Sequence, residues 1–180
     1  LRYGSDATGG VIRVLPGAPV EDGHTSVTPE LIFKSNNGLY GGSIGFAKGF
    51  SKMYVRARYT QTSAADFTVP TESFTYNTYV LPVYNQRLKN TAFREQHFSA
   101  SAGWKGYRAS GEISYSLYGL TSGLLSGAMG IPRSYDLQHD GDYRTVSLPY
   151  QDITHHKVSG RGVVDAGNNH IHFTLGYQKN

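Results

Sequence analysis

Apolar and polar side chains alternate with period two along much of the chain, which predicts β-strands that carry one apolar and one polar face. The clearest run starts at residue 53 and separates two sets of side chains: Met53, Val55, Ala57 and Tyr59 on one face, Tyr54, Arg56, Arg58 and Thr60 on the other. Similar alternation covers the ranges 97–104, 107–117 and 171–177, and weaker versions cover 29–35, 39–47 and 156–164. The pattern therefore predicts an all-β fold of about seven strands.

The predicted connections between these strands differ in length in a regular way. After a first link at 35–38, short turns are predicted at 48–51, 105–106 and 165–168, and long loops over about 63–93 and 119–154. Successive connections of an up-and-down meander lie at opposite ends, so the short turns fall at one end and both long loops at the other. Short turns at one end and long loops at the other are typical of bacterial outer-membrane barrels.

The charged residues of the strands fall on their polar faces. If the apolar face meets lipid and the polar face borders a watery lumen, these charges stay hydrated, whereas burial without partners would be costly. The residues predicted to face the lumen are Arg56, Arg58, Arg108, Glu112 and Arg161.

Aromatic residues are expected near both ends of the predicted strands. Trp104 and Tyr107 fall at the short-turn end, and Tyr59, Tyr115 and Tyr177 fall nearer the long-loop end. Two aromatic belts are what a barrel needs at the two membrane interfaces. A soluble β-sandwich stays open as an alternative, because it also combines aromatic side chains with alternating strands.

The composition narrows the classes of function. Charged residues make up only 17% of the chain, whereas glycine, with 22 residues, and tyrosine, with 14, are abundant. This composition excludes a charged disordered tail and a coiled coil. The chain contains no run of 18 or more apolar residues, so no transmembrane helix is predicted. The net charge of +4 comes from scattered basic residues, which disfavours nucleic-acid binding, and the absence of Cys excludes disulfides and thiolate chemistry.

The amino-terminal region differs in composition from the predicted strands and contains the sequence RYGSDATGGVI at residues 2–12. It resembles the closing segment of the plug domain of TonB-dependent outer-membrane transporters, although Thr8 and Arg13 depart from the residues usual there. The matching positions, for which the resemblance implies a structural role, are Tyr3, Gly4, Ser5, Asp6, Gly9, Gly10 and Val11.

The resemblance implies a division of the chain into three parts. Residues 1–15 would end a plug domain, 16–27 would form a linker, and 28–180 would be the first part of a transmembrane antiparallel barrel. Barrels of this family have 22 strands, so about seven strands would be a fragment of the wall.

The implied function is TonB-dependent active uptake across the outer membrane of a Gram-negative bacterium. Substrates of such transporters include siderophores, cobalamin and glycans, and TonB would contact a segment upstream of this chain. The expected partners are therefore TonB, outer-membrane lipid and a small molecule or oligosaccharide. Two alternatives are a carbohydrate-binding β-sandwich, soluble or attached to the surface, and a small passive outer-membrane barrel of about eight strands.

The two long loops contain the candidate binding residues. Tyr76, Tyr79 and Tyr84 in the first loop can contact a substrate, or they can pack against one another to shape the loop. In the second loop, Asp136, Asp140 and Asp142 supply oxygen ligands suited to Ca²⁺, and a solvated acidic turn explains them equally. The resemblance permits a calcium site, because cobalamin transporters of the family bind Ca²⁺ through loop aspartates.

The histidines and serines indicate no catalytic site. Neighbouring His155 and His156 point to opposite faces of a strand and cannot share a metal ion. His170 and His172 share a face, but two imidazoles are half a zinc site and lumen lining is the favoured role. No Ser lies in a nucleophile-elbow sequence, so the chain is not expected to be an enzyme.

Overall fold

The computed structural model describes residues 20–76, 78–125 and 141–180. These residues form nine β-strands and one 3₁₀ turn, Tyr84–Gln86. The strands are β1 Thr25–Lys34, β2 Leu39–Phe50, β3 Met53–Ala64, β4 Ser73–Tyr76, β5 Tyr79–Pro82, β6 Phe93–Lys105, β7 Ala109–Gly123, β8 Tyr150–Ala166 and β9 Asn169–Lys179. In these three ranges, no helix is long and apolar enough to cross a membrane.

Seven of the strands form one antiparallel sheet in the order β1-β2-β3-β6-β7-β8-β9, and β4 pairs separately with β5. The predicted all-β fold and the predicted count of sheet strands are confirmed. In the described part of the chain, β1 and β9 each pair on one side only, so the sheet is open and is not closed into a barrel. The predicted plug residues Tyr3 to Val11 lie outside the described residues.

The connections follow the predicted order of lengths. The links after β2, β6 and β8 span only 51–52, 106–108 and 167–168, whereas the links after β3 and β7 span 65–92 and 124–149. Because every neighbouring pair of the sheet is antiparallel, the three short turns lie at one end. Both long loops, and the link at 35–38, lie at the other end.

Several predicted boundaries are wrong, among them those of β1, β2 and β7. β1 begins at Thr25, inside the predicted linker 16–27, because its pairing with β2 extends to Thr25 opposite Lys48. β2 continues to Phe50, so the turn lies at 51–52 and not at 48–51. β7 begins at Ala109 and extends to Gly123, six residues beyond its predicted end. Ladder pairing, which alternation does not reveal, sets these boundaries.

One face of the sheet is apolar and remains exposed. Residues directly opposite in antiparallel strands share a face, and the register places Phe46, Ala57, Ala100, Tyr115, Val158 and Tyr177 in one row across the apolar face. On the inner strands of the sheet, Ile44, Phe46, Met53 and Ile113 are all exposed on this face. The predicted separation of faces is confirmed, and the described residues place no second layer on the apolar side.

Aromatic rings on the apolar face lie over glycines near the short-turn end. A side chain at Gly111 would collide with the Trp104 ring, and one at Gly162 would collide with the Phe173 ring. These four residues lie in one row of the register, so the two rings lie against the sheet side by side along that row. The row forms a belt at the height predicted for Trp104.

Two aromatic placements differ from the prediction. Tyr107 lies in the connection 106–108 and is almost fully exposed, so it is at the short-turn end but outside the strand. Tyr115 lies nearer the short-turn end of β7, because that strand runs on to Gly123. Its hydroxyl is 2.9 Å from Nδ1 of His156 on the same face. Tyr59 and Tyr177 lie nearer the long-loop end, as predicted.

Candidate functional site

A groove of about 500 Å³ runs across the polar face of the sheet. Its lining comes from six neighbouring strands, β1, β2, β3, β6, β7 and β8, which requires the sheet to curve with the polar face inside. Most lining side chains are hydroxyls, cations or glycines at inward positions of the register. The concave side of the sheet is therefore wet and charged, and the convex side is apolar.

A buried polar link crosses the short-turn end of this groove. The Tyr54 hydroxyl donates to Oε2 of Glu112 at 2.6 Å, and Nη2 of Arg161 lies 3.0 Å from Oε1 of the same carboxylate. Tyr54 and Glu112 are only 5% and 8% exposed, so the carboxylate is held by a hydroxyl and a guanidinium and not by bulk water. The Arg56 guanidinium lies 5.0 Å from the centre of the Tyr54 ring.

Gly103 makes this link possible. Tyr54 lies on β3 and Glu112 on β7, and the strand between them presents Gly103 at the crossing point. A Cβ atom at Gly103 would collide with the Tyr54 ring, so the ring crosses β6 only because that position has no side chain.

We expect Gly103→Ala to destabilise the sheet by about 1–3 kcal/mol, because the added methyl forces the Tyr54 ring out of a packed position. Displacement of the ring also separates the Tyr54 hydroxyl from Glu112. Urea unfolding of the purified protein measures the loss. The matched control is Gly176→Ala on the same face of β9, where a Cβ meets nothing within 4 Å. Equal unfolding midpoints for the two variants would contradict this role.

A second ionic cluster lies on the polar faces of β1, β2 and β3. Nη1 of Arg58 lies 2.9 Å from Oε2 of Glu30 and 2.7 Å from Oγ of Ser43, and the Ser43 hydroxyl donates to the same carboxylate oxygen at 3.1 Å. The pair is partly exposed, so its contribution to stability is small. It fixes the Arg58 side chain on the groove wall.

The structure brings four of the five predicted lumen charges together. Arg56, Arg58, Glu112 and Arg161 occupy inward positions of β3, β7 and β8. Arg108 lies in the connection 106–108 and not in a strand, and its carbonyl oxygen accepts from the Asp165 backbone at 2.8 Å, so its lumen-facing role stays a prediction. Sequence alternation missed the connection because Tyr107 and Arg108 continue the period-two pattern by coincidence.

Two buried polar side chains fasten the long loops to each other. Oδ1 of Asp66 accepts from the backbone N–H groups of Thr91 and Ala92 at 2.7 and 2.8 Å. Nδ2 of Asn90 donates to the carbonyls of Leu124 and Pro149 at 2.9 and 2.7 Å. Asp66 and Asn90 therefore connect the two ends of the first loop and join that loop to the second.

Further contacts extend this loop assembly. Nδ2 of Asn85 donates to the Tyr143 hydroxyl at 3.1 Å, and the Arg87 guanidinium lies 4.5 Å from the centre of the Tyr143 ring. Nη2 of Arg144 donates to the Gly38 carbonyl at 2.6 Å, which ties the second loop to the link between β1 and β2. The long-loop end is thus a connected platform, and sequence reasoning did not find its connections.

The first long loop contains the hairpin β4–β5, which was predicted as loop. Tyr76 pairs with Tyr79 next to its tip, where Thr78 has a φ of 73°, a backbone conformation that glycine usually adopts in such turns. Of the predicted substrate residues, Tyr79 on β5 and Tyr84 in the 3₁₀ turn are exposed, and the side chain of Tyr76 lies outside the description. Substrate contact by these tyrosines stays a prediction.

The structure describes one of the three predicted metal ligands, Asp142. Asp136 and Asp140 lie outside the described residues. Asp142 caps a turn, with Oδ1 accepting from the backbone of Arg144 at 3.0 Å and of Thr145 at 3.2 Å. Among described residues no group of three or more His, Asp or Glu side chains is arranged to hold a metal ion, and Ca²⁺ binding by the second loop stays a prediction.

The histidines lie as the strand periodicity predicts. His155 and His156 lie on opposite faces of β8, and His170 and His172 lie on the polar face of β9. Nδ1 of His170 is 2.6 Å from Oδ1 of Asp165, so this imidazole already has a partner.

Comparison of the sequence with family models and with curated proteins, and of the fold with solved structures, finds no match.

Proposed function

We propose that the seven-stranded sheet is a sector of an outer-membrane barrel wall, and that the chain belongs to a TonB-dependent transporter. The observation that supports this proposal most is the distribution of side chains on the sheet. Large apolar residues are exposed on the convex face, and charges and hydroxyls line the concave face. Soluble monomers rarely expose a continuous apolar surface of this extent. Lipid outside and water inside would satisfy both faces.

The dimensions of the strands support a membrane location. The seven strands are 10–17 residues long, and a tilted transmembrane strand needs about 9–11. On the apolar face of β3 the large apolar side chains end at Tyr59, and Gln61 and Ser63 follow toward the long loops. The strands therefore extend beyond an apolar band into a polar zone at that end.

The two edge strands, β1 and β9, indicate that the barrel wall continues beyond the seven strands. Within the described ranges, β1 and β9 each have one edge whose backbone groups pair with no strand, and both expose apolar side chains, including Leu31 and Leu175. Unpaired strand edges are not tolerated in lipid, so a membrane location requires further strands against both edges. A wall of 22 strands, as in the family that residues 2–12 resemble, would supply them.

The transport mechanism rests on that resemblance. The loop platform captures a siderophore, a cobalamin or a glycan at the cell surface, and the plug rearranges in response. TonB, driven by the proton gradient of the inner membrane, then moves the plug aside. The concave face lines the conduit, with Arg56, Arg58, Glu112 and Arg161 facing the plug or the lumen.

A soluble β-sandwich would bury the apolar face under a second sheet. Within the described ranges, the other sheet is the two-stranded hairpin β4–β5, which belongs to the first long loop at one end of the strands. It is too small to cover seven strands, which favours lipid as the covering phase. A passive barrel of about eight strands would need neither plug nor TonB.

Uptake measurements test the proposal. Gram-negative cells that express the complete gene, with and without TonB, receive labelled ferric siderophores, cobalamin or oligosaccharides. We expect the protein in the outer-membrane fraction and accumulation of one substrate class only when TonB and the proton gradient are both present. Uptake that continues without TonB would identify the passive barrel, and recovery of the protein in the soluble fraction would contradict a membrane location.

A further inference from the structure

The chain that leads into β1 folds back over the concave face at the short-turn end. Gly49 lies opposite Tyr54 in the register, so the position of its missing side chain is on the polar face. A Cβ atom at Gly49 would lie 1.8 Å from the Glu21 carbonyl oxygen and 3.1 Å from the Val20 carbonyl oxygen. The backbone of residues 20 and 21 therefore packs directly on Gly49, in the space that any side chain would fill.

Two hydrogen bonds fasten the same segment to the end of β2 and to the turn that follows it. The Gly49 N–H donates to the His24 carbonyl at 2.9 Å, and the Ser51 N–H donates to Oδ1 of Asp22. Ser51 has a φ of 47°, in the left-handed region that residues other than glycine rarely adopt. Asp22 therefore supports a turn residue whose backbone conformation is unfavourable. We refer to residues 20–24, together with Gly49 and Ser51, as the entry clamp.

The segment makes a tight turn of its own before β1 begins. The His24 N–H donates to the Glu21 carbonyl at 3.2 Å, and Gly23 has a φ of 72° inside this turn. The chain thus passes over the concave face, turns, and continues along the edge of the sheet as β1. A force on the chain before residue 20 acts first on the entry clamp and reaches the β1 ladder only through it.

The direction of such a force decides how β1 would separate from β2. A pull along a strand loads all of its ladder hydrogen bonds at once, whereas a pull across the sheet loads the end pair alone and opens the ladder one pair at a time. Because residues 20 and 21 lie over the concave face, a pull on the chain before them has a component across the sheet. Without the entry clamp, that load would fall on the first pair of the ladder, Thr25 with Lys48.

We propose that the entry clamp is a mechanical anchor, which takes the load when the chain before it is pulled and so keeps β1 in the wall. This role rests on the TonB-dependent transport proposed above, in which force moves a plug that precedes the wall in the chain. The clamp itself rests on the contacts of residues 20–24 with Gly49 and Ser51. In this account Asp22 and Gly49 are positioning residues, because they act by holding the chain.

Single-molecule pulling of the purified complete protein tests the anchor. The 180 residues contain no Cys, so one handle can be attached at Asn168→Cys, in the turn between β8 and β9, and the other at Val20→Cys, which loads the entry clamp first. We expect Asp22→Ala to shorten the lifetime of the first opening step at constant force about tenfold, the effect of losing one charge-assisted hydrogen bond. Asp22→Asn keeps an acceptor oxygen and should restore most of the lifetime.

A second attachment point distinguishes an anchor from a general contribution to stability. A handle at Ser35→Cys, in the link between β1 and β2, pulls β1 from its other end and does not load the entry clamp first. We expect Asp22→Ala to leave the lifetime unchanged in that geometry, whereas a general loss of stability would shorten it equally in both. Gly49→Ala should behave as Asp22→Ala does, because the added methyl displaces the Glu21 carbonyl.

The matched control is Glu21→Ala, which removes the carboxylate next to Asp22 and keeps the backbone carbonyl that packs on Gly49. We expect its lifetimes to equal those of the unmodified protein in both geometries. Equal lifetimes for the Asp22 and Glu21 variants, or an Asp22 effect of the same size from both attachment points, would overturn the anchor and leave the transport proposal standing. The expected profile in a protein whose uptake needs no TonB would support the anchor and overturn its role in transport.

Discussion

Arginine in place of Ile113 is expected to abolish most of the folded, membrane-inserted protein. Ile113 lies on the apolar face of β7, within the apolar band and 58% exposed. On the lipid face of a barrel an arginine near the bilayer midplane costs about 2–4 kcal/mol. On a water-facing surface the same change stays within about 0.5 kcal/mol. Folding into lipid vesicles, followed by the shift in gel mobility on heating, measures the inserted fraction.

Ser101→Arg is the control for this experiment, because Ser101 lies on the polar face of the neighbouring strand β6 and carries the same substitution. Its cost is limited to repulsion from Arg56 directly opposite, about 0.2–1 kcal/mol. We expect the Ser101 variant to insert and the Ile113 variant to fail. Equal insertion of both would show that the apolar face does not meet lipid.

Alanine in place of Asp66 is expected to release the loop platform. Asp66 is 1% exposed and accepts from two backbone N–H groups. Each buried donor left without its acceptor costs about 1–3 kcal/mol, so amide exchange at Thr91 and Ala92 should accelerate at least about 30-fold. Hydrogen exchange followed by mass spectrometry measures the rates, and protease should then cut within 65–92.

Two further variants distinguish the effect of losing the buried Asp66 carboxylate from the effect of losing any negative charge. Asp66→Asn keeps one acceptor oxygen and should show a smaller acceleration than Asp66→Ala. Asp152→Ala removes an exposed carboxylate on β8, whose hydrogen bond to Thr121 is long at 3.4 Å, and should leave loop exchange unchanged. Exchange rates at Thr91 and Ala92 that match in all three variants would show that Asp66 does not fasten the loop.

Alternation predicts the sheet well because burial follows the strand period. Each residue from Met53 to Thr60 lies on the face that the pattern assigns, since a shift of one residue would place Arg56 and Arg58 among apolar neighbours. Alternation does not predict which residues of neighbouring strands pair with each other. The crossing of Gly103 by Tyr54 to reach Glu112 is therefore visible only in the structure.

The loop platform could not be predicted for a different reason. Asp66 and Asn90 are polar residues in loop-like sequence, where solvent exposure is the ordinary expectation. Their burial depends on backbone groups from opposite ends of the loops, such as Thr91 and Pro149, which only the folded chain brings together. The position of Asn90 also requires Gly123, where a side chain would collide with it.

The central claim is that acyl chains cover the convex face while water fills the concave face. Because the chain contains no Cys, single cysteines placed in turn at 113–118 of β7 can each carry a spin label in vesicles. We predict that labels at odd positions, including 113, collide preferentially with oxygen dissolved in lipid, and that labels at even positions, including 114, collide with a water-soluble nickel complex. Labels at odd positions that collide with the nickel complex, or that neither reagent reaches, would contradict the account.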